Sequence, residues 1–196
     1  MIQNIPSRFN KMVVYKRPSS PVPPVTNVPF SLQAINGGGS VRLVPDSNPG
    51  PIVLDYKVNY GSWSSYTIGD TINLDENDIV YMSGANVNFS DGFGDYKGRY
   101  IFNLGGNIKA AGNIQSLVNF SDTCTDYCFN GLFGDQTLVD ASELLLPATN
   151  LGMMAYNSMF SWTPLVAAPS CLPATSISNS CYGNMFGYCM SLTNAP

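Results

Sequence analysis

The cysteines are the side chains whose type and spacing could support chemistry in this chain. Thiolates act as nucleophiles and as metal ligands, and the spacing of Cys124 and Cys128 is compatible with a zinc site. The sequence has no histidine and no second close pair of cysteines to complete a tetrahedron. We therefore expect buried free thiols that pack as small apolar groups, with a disulfide framework as the alternative. The cysteines concerned are Cys124, Cys128, Cys171, Cys181 and Cys189.

Two acidic segments are candidates for calcium binding. Residues 91–95 read Asp-Gly-Phe-Gly-Asp, and residues 75–78 read Asp-Glu-Asn-Asp. The first segment lacks the third carboxylate and the closing glutamate of an EF-hand loop, and the second lies between two predicted strands. We expect both segments to be solvated turns, so the sequence predicts neither a bound metal nor a cofactor.

Catalytic motifs are the next possibility. Without histidine a Ser-His-Asp triad cannot form, and no Gly-x-Ser-x-Gly motif is present. The glycines at residues 37–39 precede a predicted strand rather than a helix, unlike those of a phosphate-binding loop. A pair of carboxylates, as in glycosidases, could be brought together only by the fold. We predict that the protein is not an enzyme and keep a secreted glycan-active enzyme as the third functional class.

Most of the cysteines belong to a repeated element that occupies the C-terminal part of the chain. Three similar units lie near residues 128–154, 155–180 and 181–196, each with an aromatic block followed by a leucine. These leucines, each 27 residues after the one before, are Leu138, Leu165 and Leu192. Leucine-rich repeats have periods of roughly 20–29 residues, and stacking buries the apolar face that one unit cannot bury alone. The period therefore predicts a solenoid over residues 105–196.

Each unit is predicted to have a helical half and an extended half. Tyr156, Met159 and Phe160 have the i, i+3, i+4 spacing of one helical face, so we expect them to point inward. Leu-Pro-Ala-Thr occurs twice after the aromatic blocks, with its prolines at Pro147 and Pro173. Because proline interrupts a helix, this half is predicted to be extended.

The third unit has the pattern Cys-Tyr-x-x-Met-Phe-x-x-Cys-x-Ser-Leu-x-x-Ala-Pro over residues 181–196. This pattern resembles the BspA-like leucine-rich repeat of surface proteins from Bacteroides-type gut bacteria and of the phages that infect them. Residues 112–117 resemble the segment preceding such arrays, and the resemblance covers residues 98–196. The first two units depart from the pattern, since Ala155 replaces the first cysteine and both lack the second. The resemblance implies a non-catalytic binding or display solenoid, either truncated or the start of a longer array.

Residues 28–104 are predicted to form a small β-sandwich domain of the immunoglobulin-like kind. Short alternating segments separated by glycine, asparagine and proline turns indicate this fold. The strand segments are residues 28–34, 40–44, 52–60, 65–68, 71–74, 78–82 and 99–104. We interpret Trp63 as a core or hairpin-packing aromatic rather than a ligand platform. Residues 108–117 are predicted to form a strand that begins the solenoid sheet and packs the two parts together.

The N-terminal residues 1–27 form a basic, proline-rich arm. It carries no acidic residue, and its proline-rich part favours an extended conformation. The arm is either a flexible terminus or a docking peptide for an acidic assembly surface. Four charges are too few for nucleic-acid binding beside an acidic remainder, which would repel phosphate. The docking residues are Arg8, Lys11, Lys16 and Arg17.

The whole sequence indicates a protein of an external surface. Charged residues make up 11% of the chain, against about 25% in average soluble proteins. No apolar run reaches the roughly 18 residues of a membrane span, and no signal peptide is evident at the start. We therefore expect a non-catalytic phage virion protein of fibre, collar or decoration type. Its partners would be other virion proteins, further copies of itself in a homo-oligomer, and a host surface protein or glycan. The alternative is a bacterial cell-surface adhesin.

Overall fold

The computed structural model describes residues 27–92 and 98–196, and the fold is mainly β, as the sequence predicts. The described residues form three open sheets and one short 3-10 helix, Ile114–Leu117. The strands are β1 Phe30–Ala34, β2 Gly39–Asp46, β3 Leu54–Val58, β4 Ser64–Tyr66, β5 Thr71–Leu74, β6 Ile79–Ser83, β7 Arg99–Gly105, β8 Ile108–Asn113, β9 Thr123–Cys124, β10 Leu138–Leu145, β11 Asn150–Leu151 and β12 Ser176–Ile177. In the part of the chain described, no helix has the length and apolar character needed to cross a bilayer.

The seven strand segments predicted before residue 105 all contain a strand. Their alternating apolar residues face the interior because successive side chains of a strand point to opposite sides. Strand β5 illustrates this pattern, since Ile72 and Leu74 are buried while Thr71 and Asn73 are exposed. One sheet has the order β10-β8-β1-β6-β3-β4, and a second has the order β5-β2-β7. The rings of Phe30 from β1 and Phe102 from β7 meet between these sheets, with centroids 5.6 Å apart.

Trp63 lies in the connection between β3 and β4 and does not belong to the core. It is 43% exposed, and the ammonium group of Lys57 lies 5.5 Å from the centre of its ring. The hairpin therefore places this aromatic side chain over a neighbouring cation at the surface. Of the two positions predicted for Trp63, the core position is wrong, because the residue lies in the connection rather than on the buried face of a strand, whereas its place in the hairpin beside Lys57 agrees with the other.

The large sheet extends across the predicted boundary at residue 105. Strand β8 pairs antiparallel with β1 on one side and parallel with β10, from the repeat region, on the other. The single strand predicted over residues 108–117 is therefore shorter than expected and ends at Asn113. The side chain of Asn113 accepts a hydrogen bond from the Gln115 amide at 2.9 Å. This cap starts the 3-10 helix, because a side-chain acceptor satisfies a backbone donor that the strand would otherwise pair.

The three repeat units lie on top of one another in register. We call them rung 1 (residues 123–149), rung 2 (residues 150–175) and rung 3 (residues 176–196). Strand β11 of rung 2 pairs in parallel with β9 of rung 1 and with β12 of rung 3. A second line of parallel bridges joins Asp140 to Ala167 and Ala167 to Asn194. Parallel pairing therefore joins each rung to its neighbour at two places, in addition to the contacts between the aromatic blocks.

The predicted helical half of each unit is not helical. Every fourth residue of the aromatic blocks has a positive φ between 51° and 63°, which interrupts a right-handed helix. These residues are Tyr127, Gly131, Asp135, Met154, Ser158, Trp162, Ser180, Asn184 and Tyr188. The backbone instead forms successive tight turns, and alternate N–H groups donate to the next rung. The Tyr156 amide, for example, donates to the Cys181 carbonyl at 2.8 Å, and the Phe160 amide donates to the Met185 carbonyl at 2.9 Å.

The inward direction predicted for Tyr156, Met159 and Phe160 is confirmed, since all three are fully buried. The aromatic rings form two columns through the rungs, with adjacent ring centroids 5.4 to 6.0 Å apart. One column contains Phe89, Phe129, Tyr156 and Tyr182, and the other contains Phe102, Phe133, Phe160 and Phe186. The first ring of each column comes from the segment before the repeats. The same aromatic packing therefore joins that segment to the rungs.

Candidate functional site

A groove of about 820 Å³, with both polar and apolar lining residues, follows the short parallel sheet β9-β11-β12. Its polar lining residues are Asn88, Asp91, Thr123, Thr125, Asp126, Tyr127, Asn150, Ser176 and Ser178. Most of these side chains are hydroxyls or amides, which both donate and accept hydrogen bonds. None of the lining residues that the structure describes is a lysine or an arginine. The groove therefore suits a neutral, hydroxyl-rich ligand better than an anion.

The in-register rungs determine which side chains line the groove. Cys124 and Leu151 turn into the core, so their strand neighbours Thr123 and Asn150 turn outward. Ser176 occupies the same place in rung 3, because Asn150 pairs with both Thr123 and Ser176. Neighbouring strands lie about 4.8 Å apart, so the groove presents a polar side chain at about that interval.

Gly152 occupies the middle of the groove, where no larger residue fits. A Cβ at this position would lie 2.6 Å from the Asp126 amide nitrogen. Asp126 itself is fixed, because its carboxylate accepts a hydrogen bond from the Met153 amide at 2.7 Å. The glycine therefore allows the backbone of rung 1 at Thr125 and Asp126 to approach rung 2 closely.

The segment before the repeats supplies one wall of the groove. The Asp91 carboxylate accepts hydrogen bonds from the Gly50 amide at 3.2 Å and the Gly98 amide at 3.4 Å. The Thr125 hydroxyl donates to the Asn88 side-chain oxygen at 2.6 Å. The Asp91 bonds fix the wall within its own segment, and the Thr125–Asn88 bond connects the wall to rung 1, so the groove is shaped before any ligand arrives.

An exposed aromatic pair is the second surface feature of the rungs. Trp162 and Tyr188 occupy equivalent positions in rungs 2 and 3 and are 61% and 64% exposed. Their rings stack with centroids 4.0 Å apart. Asp135 occupies the same position in rung 1. Amphipathic aromatic rings at a surface are typical of binding sites, because one face is apolar and the edge is polar. Sequence reasoning missed this pair, although aligning the three units places both aromatics at a position that the core does not use.

Two reactive groups of the repeats, the Cys128 thiol and the Tyr156 hydroxyl, are fully buried. The Gln115 side-chain amide donates to the Cys124 thiol at 2.9 Å and to the Tyr156 hydroxyl at 3.1 Å. Burial raises the pKa of the Cys128 thiol well above its ordinary value, and the neighbouring Cys124 adds to this effect. Burial raises the pKa of the Tyr156 hydroxyl in the same way. Cys128 therefore remains a neutral thiol, which is a poor nucleophile.

The five cysteines are free thiols in this structure. The prediction of buried thiols is confirmed for Cys124, Cys128 and Cys181, whereas Cys171 and Cys189 are only partly buried. In the described ranges no group of three or more histidine, cysteine, aspartate or glutamate side chains could hold a metal ion.

The remaining predicted sites have different outcomes. Residues 75–78 form a turn, as predicted, in which the Asp75 backbone amide donates a hydrogen bond to the Asp78 carboxylate at 3.0 Å. In the segment 91–95 only Asp91 and Gly92 lie within the described residues. The docking residues of the arm all lie outside the described residues, and they are Arg8, Lys11, Lys16 and Arg17.

Comparisons with known proteins found no match to this chain. No protein-family model matches the chain, and neither a curated protein nor a solved structure matches it. A functional conclusion must therefore come from the groove, the aromatic pair and the sequence pattern.

Proposed function

We propose that the chain is a non-catalytic attachment protein that binds a hydroxyl-rich ligand on the outer surface of its rungs. The observation that carries the proposal is the groove over β9-β11-β12, which repeats one polar position in each rung. A host surface glycan or glycosylated protein has the matching chemistry.

We propose further that the rungs are a BspA-like leucine-rich-repeat solenoid and that the preceding strands are a β-sandwich. The parallel pairing of successive units and the two aromatic columns support the first interpretation. The core shared between the two larger sheets supports the second. Within this proposal the β-sandwich holds the first rung, and the outer surface of the stack presents the groove.

The biological setting that we propose is a phage virion, with the protein acting as a fibre, collar or decoration component. The basic arm at residues 1–27 and the resemblance of residues 181–196 to repeats of phage and bacterial surface proteins support this setting. Other virion proteins or further copies of the chain would be its structural partners. A bacterial cell-surface adhesin is the alternative, and the neighbouring genes distinguish the two. Capsid and tail genes would support the virion, whereas an anchoring or polysaccharide locus would support the adhesin.

Ligand binding can be tested with a variant that fills the groove. We expect the unmodified chain to bind purified mucin or a neutral oligosaccharide, and Ser176→Arg to weaken that binding at least about tenfold, measured by biolayer interferometry. Ser176 is exposed on the groove, so arginine there occupies ligand space without disturbing the core. Ser62→Arg, at an exposed position between β3 and β4, is the matched control and should leave binding unchanged. Equal weakening by both variants would contradict a groove site.

The docking role of the arm can be tested by deletion of residues 1–27. We expect the shortened protein to fold with an unchanged melting temperature, because the core strands begin at Phe30. In the virion setting it should no longer be incorporated into particles, since the basic docking residues are lost. Incorporation is measured by immunoblotting of purified particles. Unchanged incorporation would contradict arm docking while leaving the groove proposal intact.

A further inference from the structure

The exposed Trp162 ring has one covered face and one open face, and the open face points toward rung 1. Asp135, Trp162 and Tyr188 occupy equivalent positions with φ angles of 60°, 61° and 59°, so their side chains leave the rungs in the same direction. The Asp135 amide donates to the Ser161 carbonyl at 2.8 Å, which places Asp135 beside Trp162 in the stack. Tyr188 covers the ring from the side of rung 3, with centroids 4.0 Å apart. An aspartate side chain is too short to cover the ring from the side of rung 1, and Trp162 remains 61% exposed.

Asp135 adds a negative charge beside this open face. The residue is exposed, and within the ranges that the structure describes its carboxylate has neither a hydrogen-bond donor nor a cation as a partner. Because Asp135 belongs to rung 1, it lies one layer away from Trp162, at the level where a further stacked group would lie. We call the open face of Trp162 together with the Asp135 carboxylate the aromatic slot.

The aromatic slot matches the shape and the charge of a guanidinium group. A cation over the face of an indole ring is attracted by the electrons of the ring, and the planar guanidinium also stacks on it. The N–H groups of arginine form a flat fork that pairs edge-on with a carboxylate. A guanidinium lying on Trp162 at the level of rung 1 would meet Asp135 in this way. A neutral sugar ring could stack on Trp162, but it would leave the charge of Asp135 without a partner.

The basic arm carries the arginines that could fill such a slot. The chain has four arginines, and two of them bond within the fold: Arg42 donates to a backbone carbonyl at 2.6 Å, and Arg99 pairs with a carboxylate at 2.8 Å. The other two, Arg8 and Arg17, belong to the arm. Residues 28–196 contain thirteen acidic and five basic side chains, so the charges of the arm and of the remaining chain are complementary.

The position of the slot favours the arm of another molecule. The chain that follows the arm enters the fold at one end of β8, where the Asn113 amide donates to the Val28 carbonyl at 3.0 Å. The slot lies toward the other end of β8, where the Ile108 amide donates to the Thr137 carbonyl, two residues after Asp135. An arm would have to double back along β8 to reach its own slot, and its proline-rich part favours an extended conformation instead.

We propose that the aromatic slot binds an arginine side chain from the arm of a second copy of the chain, so that two copies associate by exchanging arms. The inference rests on the docking role proposed for the arm and identifies the surface on which it docks. It is independent of the groove and of its ligand.

Self-association of the full chain tests the carboxylate of the slot. Sedimentation velocity over a series of protein concentrations should show a reversible dimer. We expect Asp135→Asn to raise the dissociation constant of this dimer about tenfold, because two chains that exchange arms contain the slot twice. Glu76→Gln is the matched control, since it removes the same charge from an exposed turn between β5 and β6 and should leave the constant unchanged.

The guanidinium group is tested by a second pair of variants. Replacing both arm arginines, Arg8→Lys with Arg17→Lys, keeps the charge of the arm but removes the planar groups that stack. Trp162→Leu removes the ring from an exposed position and leaves the core intact. We expect each of these two variants to weaken the dimer about tenfold at the same ionic strength.

Several results would overturn the proposal. A chain that remains monomeric at every concentration excludes arm exchange, and equal effects of Asp135→Asn and Glu76→Gln would mean that only net charge matters. Undiminished dimerisation of the lysine variant would exclude a stacked guanidinium. A monomer in which the lysine substitutions shift the NMR signal of the Trp162 indole N–H would assign the slot to the arm of the same molecule. Binding of mucin by Asp135→Asn should be unchanged, so failure of this proposal leaves the groove proposal intact.

Discussion

Tyr182 has a hydroxyl group whose ionisation the fold opposes. Burial, followed by the nearby Cys181 thiol, raises its pKa from 10.0 to about 12. Because the pKa is higher in the folded chain, the folded state retains this proton over a range in which the unfolded state loses it. The contribution to stability is therefore complete below about pH 10 and decreases as the pH rises toward 12.

This pH dependence is measurable by denaturant unfolding. We expect the denaturant concentration at the unfolding midpoint to decrease between pH 9 and pH 12. In the folded chain, the absorbance change that accompanies ionisation of Tyr182 should occur near pH 12. Tyr182→Phe removes the titrating group, so its midpoint should decrease less over the same range. An identical pH dependence in the two proteins would mean that Tyr182 ionises normally.

At the scale of elements, the aromatic column through Phe160 holds the three rungs together. Phe160 lies between Phe133 at 5.6 Å and Phe186 at 5.4 Å and is fully buried. We expect Phe160→Ala to lower the free energy of unfolding by about 3–5 kcal/mol, because the substitution leaves a cavity in the column. Met190→Ala, at a position 89% exposed, should change it by less than about 0.5 kcal/mol. Similar small losses for both, measured in urea, would contradict the packing described.

The elements also differ in how well the sequence predicts them. Strands such as β5 are predictable because alternation is a local pattern that the core then uses directly. The aromatic blocks are different, since an i, i+3, i+4 spacing predicts inward side chains but is compatible with more than one backbone. The positive φ values at Met154, Ser158 and Trp162 produce successive tight turns instead of a helix. None of these three residue types predicts a left-handed conformation.

The groove could not be predicted for a related reason. Thr123, Asn150 and Ser176 are separated by more than twenty residues and come together only through the register of three short strands. Polar residues at a strand position predict exposure, but they do not predict a concave surface. One wall of the groove also depends on Asn88 and Asp91, which belong to the segment before the repeats. Only the repeat period, which places equivalent positions above one another, was available from the sequence.

At the scale of the whole molecule, the strands and the rungs form a single packed body. Strand β8 joins β1 to β10 within one sheet, and both aromatic columns pass from the preceding strands into the rungs. We expect one cooperative unfolding transition by differential scanning calorimetry, with equal calorimetric and van't Hoff enthalpies. The arrangement also predicts that residues 105–196 alone do not fold cooperatively, because β8 loses its β1 partner. Two separate transitions in the full chain would contradict this coupling.

The direction of the hydrogen bonds between rungs has a mechanical consequence. These bonds run along the stack, perpendicular to the strands they join. Tension applied at the last rung and directed away from the first would therefore load the bonds lengthwise and open them in succession, as in peeling. Under such a load the stack would yield gradually, lengthening by one unit at a time and dissipating work while the rung next to the preceding strands stays folded.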